Sequence, residues 1–137
     1  MDSDGNGYGD LEGIRSRLDY IKNLGFNTIW ISPVFCSEFE DGGYDITDFY
    51  KIDPRFGTNT DLVNLVNDAH AKGIKVCLDL VAGHTSDKHP WFLESANGDP
   101  NGHYADYYIW TKGKKTTPPK PERGGWVKNE YPRDGYF

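Results

Sequence analysis

The sequence predicts an α/β fold built around a parallel sheet. Three observations carry this. Two short apolar runs, residues 26–32 and 74–81, read as strands. Each directly follows a segment with the three-and-four spacing of an amphipathic helix. The resulting order is helix, strand, loop, helix, strand, the signature of βαβ construction.

The elements can be justified in order. In residues 10–25, Leu11, Ile14, Leu18, Ile21 and Leu24 share one face, Asp10 is placed to cap the start and Gly25 to follow the end. One continuous helix is expected. FNTIWIS then reads as a strand that Pro33 ends. Residues 33–57 form a long connection rich in Gly, Asp and aromatics, with Gly43-Tyr44-Asp45 at its centre. Structureless loops of this length are usually functional. A second helix is expected over 58–72, with Thr58 and Asp61 as a capping box and Leu62, Leu65, Val66 and Ala69 facing inward. Gly73 closes it, and the strand IKVCLDLV follows. Its near-continuous apolar character suits burial on both faces.

Asp79 interrupts that apolar strand, and His84 lies just past its end. A buried carboxylate is costly unless paired or hydrogen-bonded. Polar groups at the carboxyl ends of parallel strands are where α/β folds place ligands. Both residues are therefore candidate site residues. In the preceding loop, Tyr44 offers a stacking plane and Asp45 an acceptor, a pair suited to a sugar ring. His84 and His89 lack a third ligand and make a poor zinc site.

The opening DSDGNGYGD sets Asp2, Asp4, Asn6 and Asp10 at alternate positions, with the Tyr8 carbonyl completing the series and glycines between them. Hard cations take such oxygen ligands, and the spacing resembles an EF-hand loop. The closing bidentate Glu is absent: Gly13 stands in its place and Glu12 one residue early. Calcium, with magnesium as the alternative, is the expected ion. The glycine spacing does not fit a dinucleotide fingerprint.

Composition narrows the function classes. The net charge is −6, and the one basic run, residues 112–115 with Lys120, lies in a Pro-rich stretch. This argues against a nucleic-acid or anionic-membrane partner. No apolar run approaches the ~20 residues needed to span a bilayer. Two cysteines do not make a disulfide scaffold, and reduced thiols are expected. No signal peptide is visible. A cytoplasmic location follows if Met1 is the true start.

Five segments, DSDGNGYGDLEGI, GFNTIWISPV, GYD, FGTNTDLVNLVNDAHAKGIKV and DLVAGHTSDKHPWF, together resemble the α-amylase family of glycoside hydrolases, closest to its α-glucosidase and oligo-1,6-glucosidase branch. The resemblance implies part of a (β/α)8 TIM barrel, with residues 26–32 and 74–81 as its second and third strands. On this reading residues 1–94 belong to the catalytic domain, and 95–137 begin the irregular domain B insertion. Tyr44 is implied to stack on the innermost sugar, Asp45 and Asp79 to bind at that subsite, and His84 to bind the sugar's primary hydroxyl. Asp2, Asp4, Asn6, Tyr8 and Asp10 resemble the branch's metal loop. Gly83 stands where the family usually has an Asn that helps hold a second calcium, so that site is not implied.

The implied activity is retaining hydrolysis of α-glucosidic bonds in α-glucans or oligosaccharides. That chemistry uses two carboxylates ~5 Å apart. In the family they follow the fourth and fifth strands, which do not occur within these 137 residues. The first strand is not apparent either, and a full barrel needs ~250 residues. The chain therefore reads as a fragment carrying part of the sugar subsite but neither nucleophile nor acid, inactive on its own and prone to association through uncovered edges. Two competing readings are a metal-stabilised carbohydrate-binding module and a non-catalytic relative such as a transporter heavy-chain ectodomain. Retention of Tyr44, Asp45, Asp79 and His84 together argues against the latter.

Overall fold

The computed structural model describes residues 1–110. The basic run at 112–115, Lys120 and most of the expected insertion lie outside them. The chain divides into two compact units, Met1–Ser86 and one beginning at Asp87.

The first unit opens with the glycine-rich loop and then α1 (Leu11–Arg15) and α2 (Leu18–Asn23). The expected single helix is broken between them. Arg17 leaves helical geometry at φ −112° and ψ 9°. The Ser16 hydroxyl donates back to the Gly13 carbonyl at 2.8 Å, offering the backbone a competing partner where the helix would continue. Asp10 caps α1 as expected, accepting from the Gly13 N–H at 2.6 Å. Leu11 and Leu18 are buried despite the break, but Leu24 is exposed and does not extend the apolar face. Gly25 takes the left-handed conformation that ends α2.

β1 (Thr28–Ile31) follows, then β2 (Phe35–Ser37) and β3 (Ile46–Ile52). The connection expected to lack structure thus holds an antiparallel hairpin with irregular register. ITDFYKI, rich in β-branched and aromatic residues, carried that signal. α3 (Asn59–Ala71) has the expected capping box. Thr58 accepts from the Asp61 N–H, and Asp61 accepts from the Thr58 N–H at 2.8 Å. β4 (Lys75–Leu78) pairs parallel to β1, Ile29 opposite Val76 and Ile31 opposite Leu78.

One core holds this unit together. Leu11, Leu18, Ile31, Val34, Ile52, Leu65, Ala69 and Ile74 are buried against each other, with Ile29, Val76 and Leu78 packed on them. Burying a side chain of this size stabilises by roughly 1.5–3 kcal/mol. Only the sheet face toward α3 takes part. Trp30 and its partner Cys77 on the other face are exposed, so the expectation of a strand buried on both faces, with Cys77 inside, does not hold. The alternation of side chains across a strand explains this: helices cover one face, and Trp30 and Cys77 belong to the other.

In the second unit, α4 (Pro90–Ala96) starts at a His89 cap whose Nδ1 accepts from the Trp91 N–H at 3.1 Å. Phe92, Ser95 and Ala96 are buried, and the Ser95 hydroxyl donates to the Ala105 carbonyl at 3.1 Å. No helix among the described residues is long and apolar enough to cross a membrane.

Candidate functional site

Three segments converge at the carboxyl end of the parallel pair. Tyr44 lies in the turn before β3, Asp79 directly after β4, and His84 in the segment that follows. The parallel pairing places Asp79, whose N–H donates to the Ile31 carbonyl at 3.0 Å. The Tyr44 hydroxyl donates to Asp79 Oδ2 at 3.1 Å. His84 Nε2 lies 2.9 Å from the Tyr44 carbonyl. The Ser86 N–H donates to the Ile46 carbonyl at 2.9 Å, tying the His84 segment to the start of β3. Hydrogen bonding to Asp79 pushes the Tyr44 phenol above its usual value, because that bond needs the neutral phenol. Tyr44 and Asp79 are partly buried and His84 is exposed, so the cluster is open to a ligand.

Asp45 is next to Tyr44 but faces its own turn. Oδ1 accepts from the Ser37 hydroxyl at 2.7 Å and the Asp41 N–H at 3.2 Å, and Oδ2 from the Glu40 N–H at 3.0 Å. Burial raises its carboxyl, but these donors outweigh burial and hold it below the usual carboxylate value. The structure therefore joins Tyr44, Asp79 and His84 and turns the Asp45 carboxylate away into the loop. Ser37 and its neighbours Asp53 and Arg55 were not legible as site residues. They announce themselves only through contacts between segments distant in sequence.

A second cluster lies in the opening loop. Oxygens of Asp2, Asp4 and Asp10 all fall within 4.8 Å of one another. Ligands of one calcium, each at ~2.4 Å from it, span about that distance, so the carboxylates fit a hard cation. Asp2 is held below the usual carboxylate value by the Gly7 N–H first, against burial, and then by those of Gly5 and Asn6. Asp10 is raised by burial, but Ser3 and Gly13 donors outweigh that and bring it below. Asn6 Oδ1 accepts from the Tyr8 N–H at 2.8 Å, and the Tyr8 ring packs edge-on to Phe39 at 6.3 Å. Thus three of the five expected ligands gather by their carboxylates, and the Asn6 side-chain oxygen accepts from the Tyr8 N–H; the expected Tyr8 donor is its backbone carbonyl, which the ring contact leaves unaffected.

Residues 1–132 match the family model for the alpha-amylase catalytic domain. The oligo-1,6-glucosidase of Heyndrickxia coagulans is 53% identical over 119 residues, covering 86% of this chain and 21% of that protein. A trehalose synthase/amylase of Mycobacterium tuberculosis is 53% identical over 111 residues, covering 81% and 18%. Among solved structures, the trehalose-6-phosphate hydrolase of Bacillus licheniformis superposes with a TM-score of 0.87 at 42% identity, covering 98% of this chain and 25% of that one. The chain thus spans about a fifth of the curated relatives it matches. The solved neighbours are (β/α)8 enzymes, so β1, α3 and β4 form part of such a barrel, in agreement with the fold expected from sequence. By the extent of this match, the chain belongs to the alpha-amylase catalytic-domain family of glycoside hydrolases.

Proposed function

We propose that this chain contributes the sugar-binding part of a retaining glycoside hydrolase acting on α-glucosidic bonds. The observation that carries the proposal is the linkage of Tyr44 to Asp79 and to His84, 35 and 40 residues further along the chain, by hydrogen bonds of 3.1 and 2.9 Å. The Tyr44 ring supplies an apolar plane for a pyranose face. Asp79 accepts from sugar hydroxyls, and the exposed His84 reaches a further one. Curated relatives include oligo-1,6-glucosidases and a trehalose synthase/amylase, which supports an α-linked glucoside as ligand. The covalent chemistry needs two carboxylates ~5 Å apart. Tyr44, Asp79 and His84 bring one carboxylate between them, so this cluster binds a sugar without supplying that pair, and no hydrolysis by the 137-residue chain is expected.

Asp2, Asp4 and Asp10 would hold a calcium ion, or magnesium in its place, with Asn6 and the Tyr8 carbonyl as further oxygen donors. The ion would neutralise three gathered carboxylates and fix the loop that leads into α1.

Nuclear magnetic resonance titration of the chain with methyl α-D-glucopyranoside tests the sugar site. Shifts confined to Tyr44, Asp79, His84 and their neighbours are expected. A saturating titration that leaves those signals unmoved sinks the proposal, as does steady hydrolysis of a nitrophenyl α-glucoside by the chain alone. Calorimetric titration with calcium tests the loop: heat that vanishes in Asp4→Asn is expected, and none at all would remove the ion.

A further inference from the structure

We propose that Ser37 and Arg55 are positioning residues for Tyr44, acting through Asp45 and the strained backbone at Phe39. This rests on the reading of Tyr44 as part of a sugar site, and it assigns Asp45 a different role from its neighbours.

The turn from 37 to 45 is closed from both ends by one set of contacts. Arg55 forks onto the buried Asp53, with Nε to Oδ1 at 2.8 Å and Nη2 to Oδ2 at 3.1 Å. The same Nη2 donates to the Ser37 carbonyl at 2.9 Å. Arg55 thereby holds Ser37 from the backbone side. The Ser37 hydroxyl then donates to Asp45 Oδ1 at 2.7 Å and accepts from the Phe39 N–H at 2.8 Å. Asp45 returns across the turn to the N–H groups of Glu40 and Asp41. Both carboxylate oxygens of Asp45 are thus engaged within the turn, leaving it little to offer a ligand.

The turn needs this restraint. Phe39 has φ +65°, the one left-handed non-glycine residue among those described. Such a conformation persists only where the surroundings over-determine it, and it is concentrated at functional sites. Here the surroundings are the Ser37 hydroxyl on its N–H and the Arg55 guanidinium 4.4 Å above its ring. Tyr44 sits at the far end of the turn, its N–H donating to the Asp41 carbonyl at 3.0 Å. A shift of the turn moves the Tyr44 ring away from Asp79 and its carbonyl away from His84. Arg at position 55 is required rather than Lys, since only a planar fork reaches Asp53 and the Ser37 carbonyl together.

The test uses the whole 137-residue chain with 13C-labelled tyrosine and 15N-labelled histidine. The Tyr44 signal is assigned with Tyr44→Phe. In the native chain Tyr44 should ionise at higher pH than the other exposed tyrosines, and His84 Nε2 should show a hydrogen-bonded shift. Ser37→Ala and Arg55→Lys should move both signals to those of an unrestrained tyrosine and histidine, and Ser37→Thr should restore them. Folded variants whose Tyr44 and His84 signals stay at native values overturn the proposal. So does a Ser37→Thr that fails to restore them. If Ser37→Ala does not fold, Arg55→Lys and Asp45→Asn are read the same way. Loss of folding in all three would make the contacts a matter of stability alone and overturn positioning. A titration with methyl α-D-glucopyranoside run alongside decides the sugar site separately. Its failure leaves the tyrosine and histidine signals able to decide the positioning role.

Discussion

Two acidic, glycine-rich turns in this chain solve different problems. Residues 2–10 bend around their own carboxylates, and their side-chain hydrogen bonds reach no further than seven residues. Residues 37–45 also bend around a carboxylate, that of Asp45, but they are held by Asp53 and Arg55 and lead to Asp79 and His84. The first turn is held by local hydrogen bonds and is largely exposed, although Asp10 at its end is buried and the Tyr8 ring packs on Phe39 of the second. The second is a product of tertiary structure. A local loop can gather carboxylates with little help from the core, whereas the angle of the Tyr44 ring is fixed by distant elements.

The comparison predicts that core damage separates the two turns. Ile46 is fully buried, lies one residue after Asp45, and its carbonyl receives the Ser86 N–H. Ile46→Ala should cost about 2–5 kcal/mol by chemical denaturation. Below the unfolding transition, signals of Tyr44 and His84 should broaden while the calcium binding proposed for residues 2–10 is unchanged. A parallel loss of calcium affinity would show that the turns are coupled.

The glycines sharpen the contrast at smaller cost. Gly43 has φ +96°, and an added Cβ would lie 3.2 Å from the Pro33 carbonyl oxygen. Gly43→Ala should destabilise by about 1–3 kcal/mol through backbone strain, with the close contact pushing it to the upper end. Gly5 has φ +79° with open space around its Cβ position. Gly5→Ala should cost only the backbone part, about 1–2 kcal/mol. Thermal melts check this. Equal losses at the two positions would erase the distinction between a packed turn and a free one.

This same division decided what could be read from the sequence. The acidic spacing of residues 2–10, the Thr58 and Asp61 capping box and the Asp79 and His84 pair are local patterns: the box forms as read, the carboxylates of Asp2, Asp4 and Asp10 gather, and Asp79 directly follows the shortened β4 instead of interrupting it. The break between α1 and α2 was not legible, because it turns on which carbonyl the Ser16 hydroxyl chooses. The hairpin of β2 and β3 was missed because bulged register and aspartates mask its alternation. Cys77 read as core, within a strand buried on both faces, because apolar character does not say which sheet face is covered. The hydrogen bonds of Asp45 were not legible for the same reason: nothing in the local pattern announces Ser37 as its partner or Arg55 as the group that holds Ser37.

The smallest expected effect is on acid stability, and it follows the same division. The folded Asp45 carboxyl lies below its usual value of 3.8. Between the unfolded and folded values, the unfolded chain binds more protons at this group, so stability rises with pH there. The contribution is complete above about pH 4 and is lost as pH falls through the folded value. Asp2 and Asp10 are shifted in the same direction, so acid should weaken both turns. Asp45→Asn should remove part of the acid-induced fall in melting temperature as well as lowering stability at neutral pH. Asp2→Asn should change the acid slope far less in the absence of calcium, since Asp2 is exposed and its bonds compete with water. Melting curves taken stepwise from neutral pH down through the carboxylate range, with a chelator present, distinguish the two. If Asp2→Asn flattens the acid limb as much as Asp45→Asn does, the exposed loop carries as much folding free energy as the anchored turn, and the contrast drawn from their contacts fails.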